Sequence, residues 1–200
     1  MKTQMYSLAM FPLNIIVFPG EEVPLRIFEP RYKQLISECE ETGMSFGIPF
    51  IDSNELTSIG SHVTLHKVVT KIENGNSVII IRGINLFKLH NFSEELPGKL
   101  YGGGIVEHIE NNYATTNSQL AVLVKKLRLN LSDSLGTLII NNSISMLDVA
   151  RALMLNSEQK YKLLTLKDDK TRENFLINRL KLKEFILTQE QRIENNFHLN

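Results

Sequence analysis

The sequence predicts an α+β protein: a strongly bent β-sheet or pseudo-barrel with one inserted helix, followed by an α-helical bundle ending in a long helix. Three observations predict it. Apolar residues of the first half recur with the two-residue period of strands, whereas those of the second half follow the helical period of 3.6. Turn chemistry divides the first half into short elements, at Pro19-Gly20, Asn74-Gly75 and Gly83. A long helical pattern then runs from Asp168-Asp169 to the vicinity of Asn196.

Taken in order, Leu8 to Phe18 reads as a buried strand closed by Pro19-Gly20, and Val23 to Phe28 as a second. Pro24 near its start loses an N–H where the loss matters least. Glu29-Pro30 opens a helix because proline at the first helical position already has the right φ. Tyr32, Leu35, Ile36 and Cys39 recur at helical spacing, and Gly43 is the expected stop. Phe46 to Ile51 reads as a strand, Asp52 to Gly60 as a polar loop, and His62 to His66 as a half-buried strand of alternating character. Asn74-Gly75 tolerates the positive φ of a tight hairpin ahead of Val78 to Ile81. Gly83 marks a bulge or bend, and Leu86 to Phe92 and Tyr101 to Ile109 supply two more strands. Gly102-Gly103-Gly104 is read as a bulge or turn.

In the second half, Thr116 and Gln119 form a capping-box pattern before Leu120, Leu123, Val124 and Leu127. Asn130 to Asn142 is an irregular connection. Ser145 and Ser157 begin two short helices, and Leu176, Leu180, Ile186 and Ile193 mark the buried stripe of the long one. Two subdomains result, 1–112 and 113–200, with the hinge at Glu110 to Thr115.

Composition narrows the function classes. Lys plus Arg and Asp plus Glu both number 22, so the basic excess that replaces counterions on nucleic acid is missing. Residues 1–112 hold 9 basic and 13 acidic residues and the remainder hold 13 and 9, too small an asymmetry to name a charged partner. The apolar N-terminal run is broken by Pro12, Asn14 and Pro19-Gly20 and is too short to span a bilayer. A single cysteine, Cys39, cannot form an intramolecular disulfide, so the expected compartment is the cytoplasm.

The residues do not call for catalysis. Gly98-Lys99 lacks the glycine and hydroxyl residue of a phosphate-binding loop, and no Gly-x-Ser-x-Gly elbow occurs. His62 and His66 share the spacing of zinc ligands on a helix. On a strand, however, four residues span about 13 Å, so no metal is expected. Cys39 reads as a buried structural thiol, and no cofactor is expected. The densest cluster is PLRIFEPRY, residues 24–32. Its structural reading pairs Arg26, Glu29 and Arg31 and packs Phe28 and Tyr32 on the core. Its functional reading places some of these residues on the rim of an apolar groove.

The run FPLNIIVFPGEEVPLRIFEPRYKQLI resembles the opening of the Lon protease N-terminal domain, in the form found in short stand-alone bacterial proteins. Phe46-Gly47-Ile48, Ile59-Gly60, Ile81-Arg82-Gly83 and Phe87-Lys88-Leu89 continue the likeness. ISMLDVARALMLNSEQKYKLLTLKDDKTRENFLINRLK resembles the family's helical part, so nearly the whole chain is covered. The resemblance implies a domain that recognises unfolded or tagged polypeptides and helps assemble the ring. It implies a chain without the ATPase and Ser-Lys protease that follow this domain in Lon, hence a non-enzyme.

The expected function is therefore non-catalytic recognition of unfolded or apolar polypeptide segments, with an adaptor for proteolysis as the narrower version. The expected surface involves Phe18, Pro24, Arg26, Phe28, Glu29, Arg31 and Tyr32, with the sheet edges. The rivals are a small-molecule pocket in the bent sheet, a hydrolase with a scattered site, and self-association through the long helix. Nucleic acid and membrane are not expected partners.

Overall fold

The computed structural model describes residues 4–72, 75–110, 113–128, 139–140 and 143–197. It divides into two compact units, Met1–Glu110 and Asn111–Asn200.

The first unit is built on six strands: β1 (Met5–Met10), β2 (Glu22–Ile27), β3 (Phe46–Asp52), β4 (Glu55–Lys71), β5 (Ser77–Ser93) and β6 (Gly102–His108), with α1 (Pro30–Thr42) between β2 and β3. The order is β2-β5-β4-β3-β1-β6, and β5 also pairs with β6. The sheet thus bends strongly back on itself without forming a closed barrel; β1 and β3 are joined by only a short parallel pairing at Ala9–Phe46 and Met10–Gly47. Helix α1 forms where the sequence places it. Pro30 occupies its first turn, and Gly43, at φ 71°, caps its end with an N–H to the Cys39 carbonyl. Tyr32, Leu35, Ile36 and Cys39 are its buried face. They join Phe11, Val17, Ile27, Phe46, Ile48, Val63, Ile79, Ile81 and Tyr101 in the main core.

Several boundaries differ from the sequence reading, each for a local reason. The first strand is Met5–Met10, and Phe11 to Phe18 leaves regular pairing because Pro12 has no N–H to give. That segment stays against β3 through single bonds: Phe11 N–H to Gly47 O, Leu13 N–H to Pro49 O and Ile51 N–H to Leu13 O. The polar stretch 52–60 is mostly strand. The reversal needs only Ser53 and Asn54, both in the left-handed region at φ 47° and 68°, and β4 begins at Glu55. Val78–Ile81 and Leu86–Phe92 are parts of one strand, β5, with a register shift opposite His62 and Val63. At that shift Gly83 is hemmed by the Phe18 carbonyl, 2.1 Å from where a Cβ would lie. The N–H of Gly83 donates to Glu21 O, and its own carbonyl accepts from Gly20.

Gly102–Gly104 is not a turn but the start of β6, sandwiched between β1 and β5. A Cβ on each of the three would fall within 2.7 Å of Ser93 O, Leu96 or Asn91 O, so the run lets the sheet fold closely over itself. The β4–β5 hairpin closes with Gly75 at φ 78°, its N–H on the Ile72 carbonyl; Asn74 lies outside the described residues.

The second unit carries α2 (Ser118–Arg128), α3 (Met146–Ala152), α4 (Ser157–Thr165) and α5 (Asp169–Phe197). A small sheet of β7 (Ala114–Thr115), β8 (Ile139–Ile140) and β9 (Ser143–Ser145) accompanies them, in the order β7-β9-β8. Apart from Ile139 and Ile140, which pair with β9, the connection expected at 130–142 lies outside the described residues. The hinge expected at 110–115 includes two more such residues, 111 and 112. Ser145 caps α3 by accepting the Asp148 N–H, as its position predicts. The cap of α2 is Asn117 rather than Thr116: its Oδ1 accepts the Leu120 N–H at 3.1 Å. Asn156 forms a full capping box with Gln159 at α4, one residue before the predicted start. In α5, Leu176 and Leu180 are buried as expected, joined by Ile177, but Ile186 and Ile193 are exposed.

Candidate functional site

The seven residues singled out from the sequence separate into three groups. Phe18 is fully buried, so it supports the core and cannot meet a partner. Its N–H donates to Glu21 Oε2 at 2.9 Å, and its carbonyl packs on Gly83. The run around it has no polar–apolar alternation, and periodicity therefore could not assign it to a face.

Pro24, Arg26 and Phe28 share the outward side of β2, while Val23, Leu25 and Ile27 point to the main core. The two sets follow from strand alternation alone. Pro24 stands opposite Ile80 and Arg26 opposite Val78 on β5. Phe28, just past the strand, is 63% exposed, so the structural reading that packed it on the core fails. Because β2 is the terminal strand of the order, β5 is its one strand neighbour among the described residues.

Glu29, Arg31 and Tyr32 form the third group, at the first turn of α1. The Glu29 carboxylate accepts from Arg31 Nε and Nη2 at 2.9 and 2.8 Å, and so gives α1 no side-chain cap. The Arg31 guanidinium lies 4.6 Å from the Tyr32 ring centre. Tyr32 stacks on Phe11 with centroids 3.7 Å apart, and burial raises its phenol above the ordinary pKa. Arg26 is not part of the ion pair.

Beside this turn lies a cavity of about 400 Å³. Its walls include Arg31 and Tyr32 of α1, Pro12, Ile51 at the end of β3, Leu56 at the start of β4 and Phe92 of β5. Sequence reasoning misses Leu56 because the Asp52–Gly60 stretch reads as a loop, whereas Ile51 and Phe92 read as strand positions with no local sign of a shared cavity. Asn54 between Phe50 and Leu56 was the available signal, a left-handed-tolerant residue between apolar positions. A second, more apolar cavity of about 320 Å³ is lined by Leu8, Leu96, Gly103, Gly104 and Ile105.

Two polar clusters also went unread. Glu38 accepts from Lys99 Nζ at 2.7 Å, Tyr101 Oη at 2.6 Å and Gln34 Nε2 at 3.1 Å, tying α1 to the chain entering β6. These donors hold its carboxyl below the ordinary pKa, Lys99 most strongly. Tyr101 is pushed up by burial and by that carboxylate. Ser45 Oγ lies 2.7 Å from His62 Nε2, and Tyr6 Oη lies 3.4 Å from Nδ1. Burial, and then the charge of His108, lower the His62 pKa. Neither Ser45 nor His62 lines either of the two cavities above. Cys39 is buried and its thiol is pushed up to about 11, chiefly by burial, which keeps it protonated and unreactive at neutral pH. Among the described residues, no three His, Cys, Asp or Glu side chains are grouped to hold a metal ion, and no helix is long and apolar enough to cross a membrane.

A bent sheet carrying one helix, a terminal strand with an outward-facing side and a cavity beside the first turn of α1 make up the candidate binding surface. The chain belongs to the ATP-dependent protease La (LON) substrate-binding domain family, whose profile matches residues 7–181. Its fold is shared by the Lon N-terminal domain protein from Xanthomonas campestris, at 24% identity and a TM-score of 0.63, covering 86% of this chain and 98% of that one. The N-terminal domain of the Mycobacterium avium complex Lon protease superposes with a TM-score of 0.61 at 17% identity, covering 88% and 98%. The search of curated proteins finds no match.

Proposed function

We propose that this chain is a non-catalytic module that holds exposed apolar segments of unfolded polypeptides and serves as an adaptor for proteolysis. Membership of a substrate-binding family supports the polypeptide as ligand. The observation that carries the surface is Phe28, 63% exposed at the end of a terminal strand. An extended peptide can add beside such a strand through main-chain bonds, with large side chains supplying selectivity. The Arg31–Tyr32 cavity beside α1, walled by apolar side chains together with Arg31, Asn54 and Glu94, offers a recess for one anchoring side chain. An unpaired Cys39 fits a reducing compartment, and we place the chain in the cytoplasm.

The test is binding of fluorescent unstructured peptides, graded in apolar content, to the intact protein. Apolar peptides should bind selectively, and Phe28→Ala should weaken them about tenfold while leaving the melting temperature unchanged. Equal binding by the variant would move the surface elsewhere, and silence for every peptide would end the reading. A second reading, a small apolar ligand, is favoured by the cavity volume of about 400 Å³, which lies within the range of ligand sites. It predicts saturable binding of small apolar probes that Phe28→Ala leaves intact.

A further inference from the structure

Helix α5 is apolar on two opposite faces; the bundle buries one, and Leu182 and Ile186 of the other border a shallow recess shared with Leu153 and Leu155. Leu176, Ile177 and Leu180 are buried, and α5 packs on α2, α3 and α4. Glu184 extends that face by pairing with Lys126 of α2. At 3.6 residues per turn, Leu182, Phe185, Ile186, Gln189 and Ile193 fall on the other side of the rod. The four apolar members are 41–60% exposed. Four large apolar side chains on one solvent-facing stripe exceed the scattered exposure normal for a surface.

We infer that this stripe is a contact surface for a second copy of this chain, in which the distal halves of two α5 helices pack antiparallel. Charge complementarity selects the occupant and the direction. Lys183 and Glu190 flank the stripe on one side, and Phe185 and Arg192 on the other. Under a two-fold axis across an antiparallel pair, each flank meets the same flank of its mate. With the axis level with Leu187 and Thr188, Leu182 faces Ile193 of the second copy and Ile186 faces its Gln189. Lys183 then meets Glu190 of the second copy, and Arg192 meets its Phe185 ring, each contact made twice. A parallel, in-register pair would set Lys183 beside Asn178 and Glu190 beside Phe185, with no opposite charges facing. Only the antiparallel arrangement makes the stripe complementary to itself.

Sedimentation of the intact protein over a wide concentration range should show a dimer that dissociates on dilution. The double substitution Leu182→Glu, Phe185→Glu should give a monomer with unchanged circular dichroism, since both side chains are exposed. Glu190→Lys should raise the dimer dissociation constant about tenfold, and adding Lys183→Glu should restore it. Leu182→Cys with Ile193→Cys should cross-link two chains on oxidation. Leu182→Cys alone should not, because the two thiols would stand about 16 Å apart along the helices. A monomer at every concentration overturns the proposal, as does a dimer that survives Leu182→Glu, Phe185→Glu. Indifference to Glu190→Lys, or cross-linking by Leu182→Cys alone, overturns the antiparallel register.

Discussion

Glu38 shows how a residue without any motif becomes a structural tie. Its carboxylate collects Lys99, Tyr101 and Gln34 from positions that are 61, 63 and 4 residues away. The sequence gives no periodic or turn signal for such a cluster, because partners this distant meet only after the sheet has bent. The same limit applies to Phe18 and Phe28. Both are apolar residues near a strand end, yet one is fully buried and the other is 63% exposed. Glu38 also makes a pH prediction. Its pKa is lowered in the folded state from an ordinary value of 4.5. The unfolded chain therefore takes up the proton first as pH falls. The contribution is fully present above about pH 4.5 and is lost as pH falls through the folded-state value. Chemical denaturation of Glu38→Gln across this window should show a shallower acid loss of stability than the parent; identical slopes would show that the carboxylate contributes nothing there.

At the scale of elements, type was more legible than boundary. Helix α1 was legible to within a residue, since Pro30, Gly43 and the spacing of its buried face are local signals. Strands β4 and β5 were not, because their 17-residue lengths depend on pairing with each other across register shifts. The start of α2 separates two candidate caps. Thr116 fits the capping box on paper, but Asn117 Oδ1 holds the Leu120 N–H, while Asn117 Nδ2 donates to Glu173 Oε2 at 2.7 Å. Asn117→Ala should cost about 1–2 kcal/mol in urea denaturation, and Thr116→Ala less than about 0.5 kcal/mol. Equal costs would return the cap to Thr116. Helix α5 presents the converse case: its apolar positions were visible, but which of them the bundle covers was not.

For the whole molecule, net charge is the property that composition sets most directly. With 22 basic and 22 acidic residues the chain has no net charge to steer a charged client. Binding of apolar peptides should therefore change less than about twofold between low and high salt. A steep salt dependence in a titration series would instead mark a charged ligand. Phe28, Pro24 and the Arg31–Tyr32 cavity are neighbours in sequence, and this made the candidate surface partly readable as PLRIFEPRY. Ile51, Leu56 and Phe92 join them only through folding.

By itself, then, the sequence determined the α+β class, the order of most elements, the proline start and glycine stop of α1, and the likeness to a substrate-binding family. These rest on local backbone chemistry and on periodicity, which act over a few residues. Tertiary structure alone decided that Gly102–Gly104 is a close crossing of strands, that Phe18 is core while Phe28 faces water, and that α5 leaves an apolar stripe uncovered. The physical reason is common to all three. Whether an apolar side chain is buried depends on what lies across from it, and in a bent sheet or a helical bundle the opposing residue comes from a distant part of the chain.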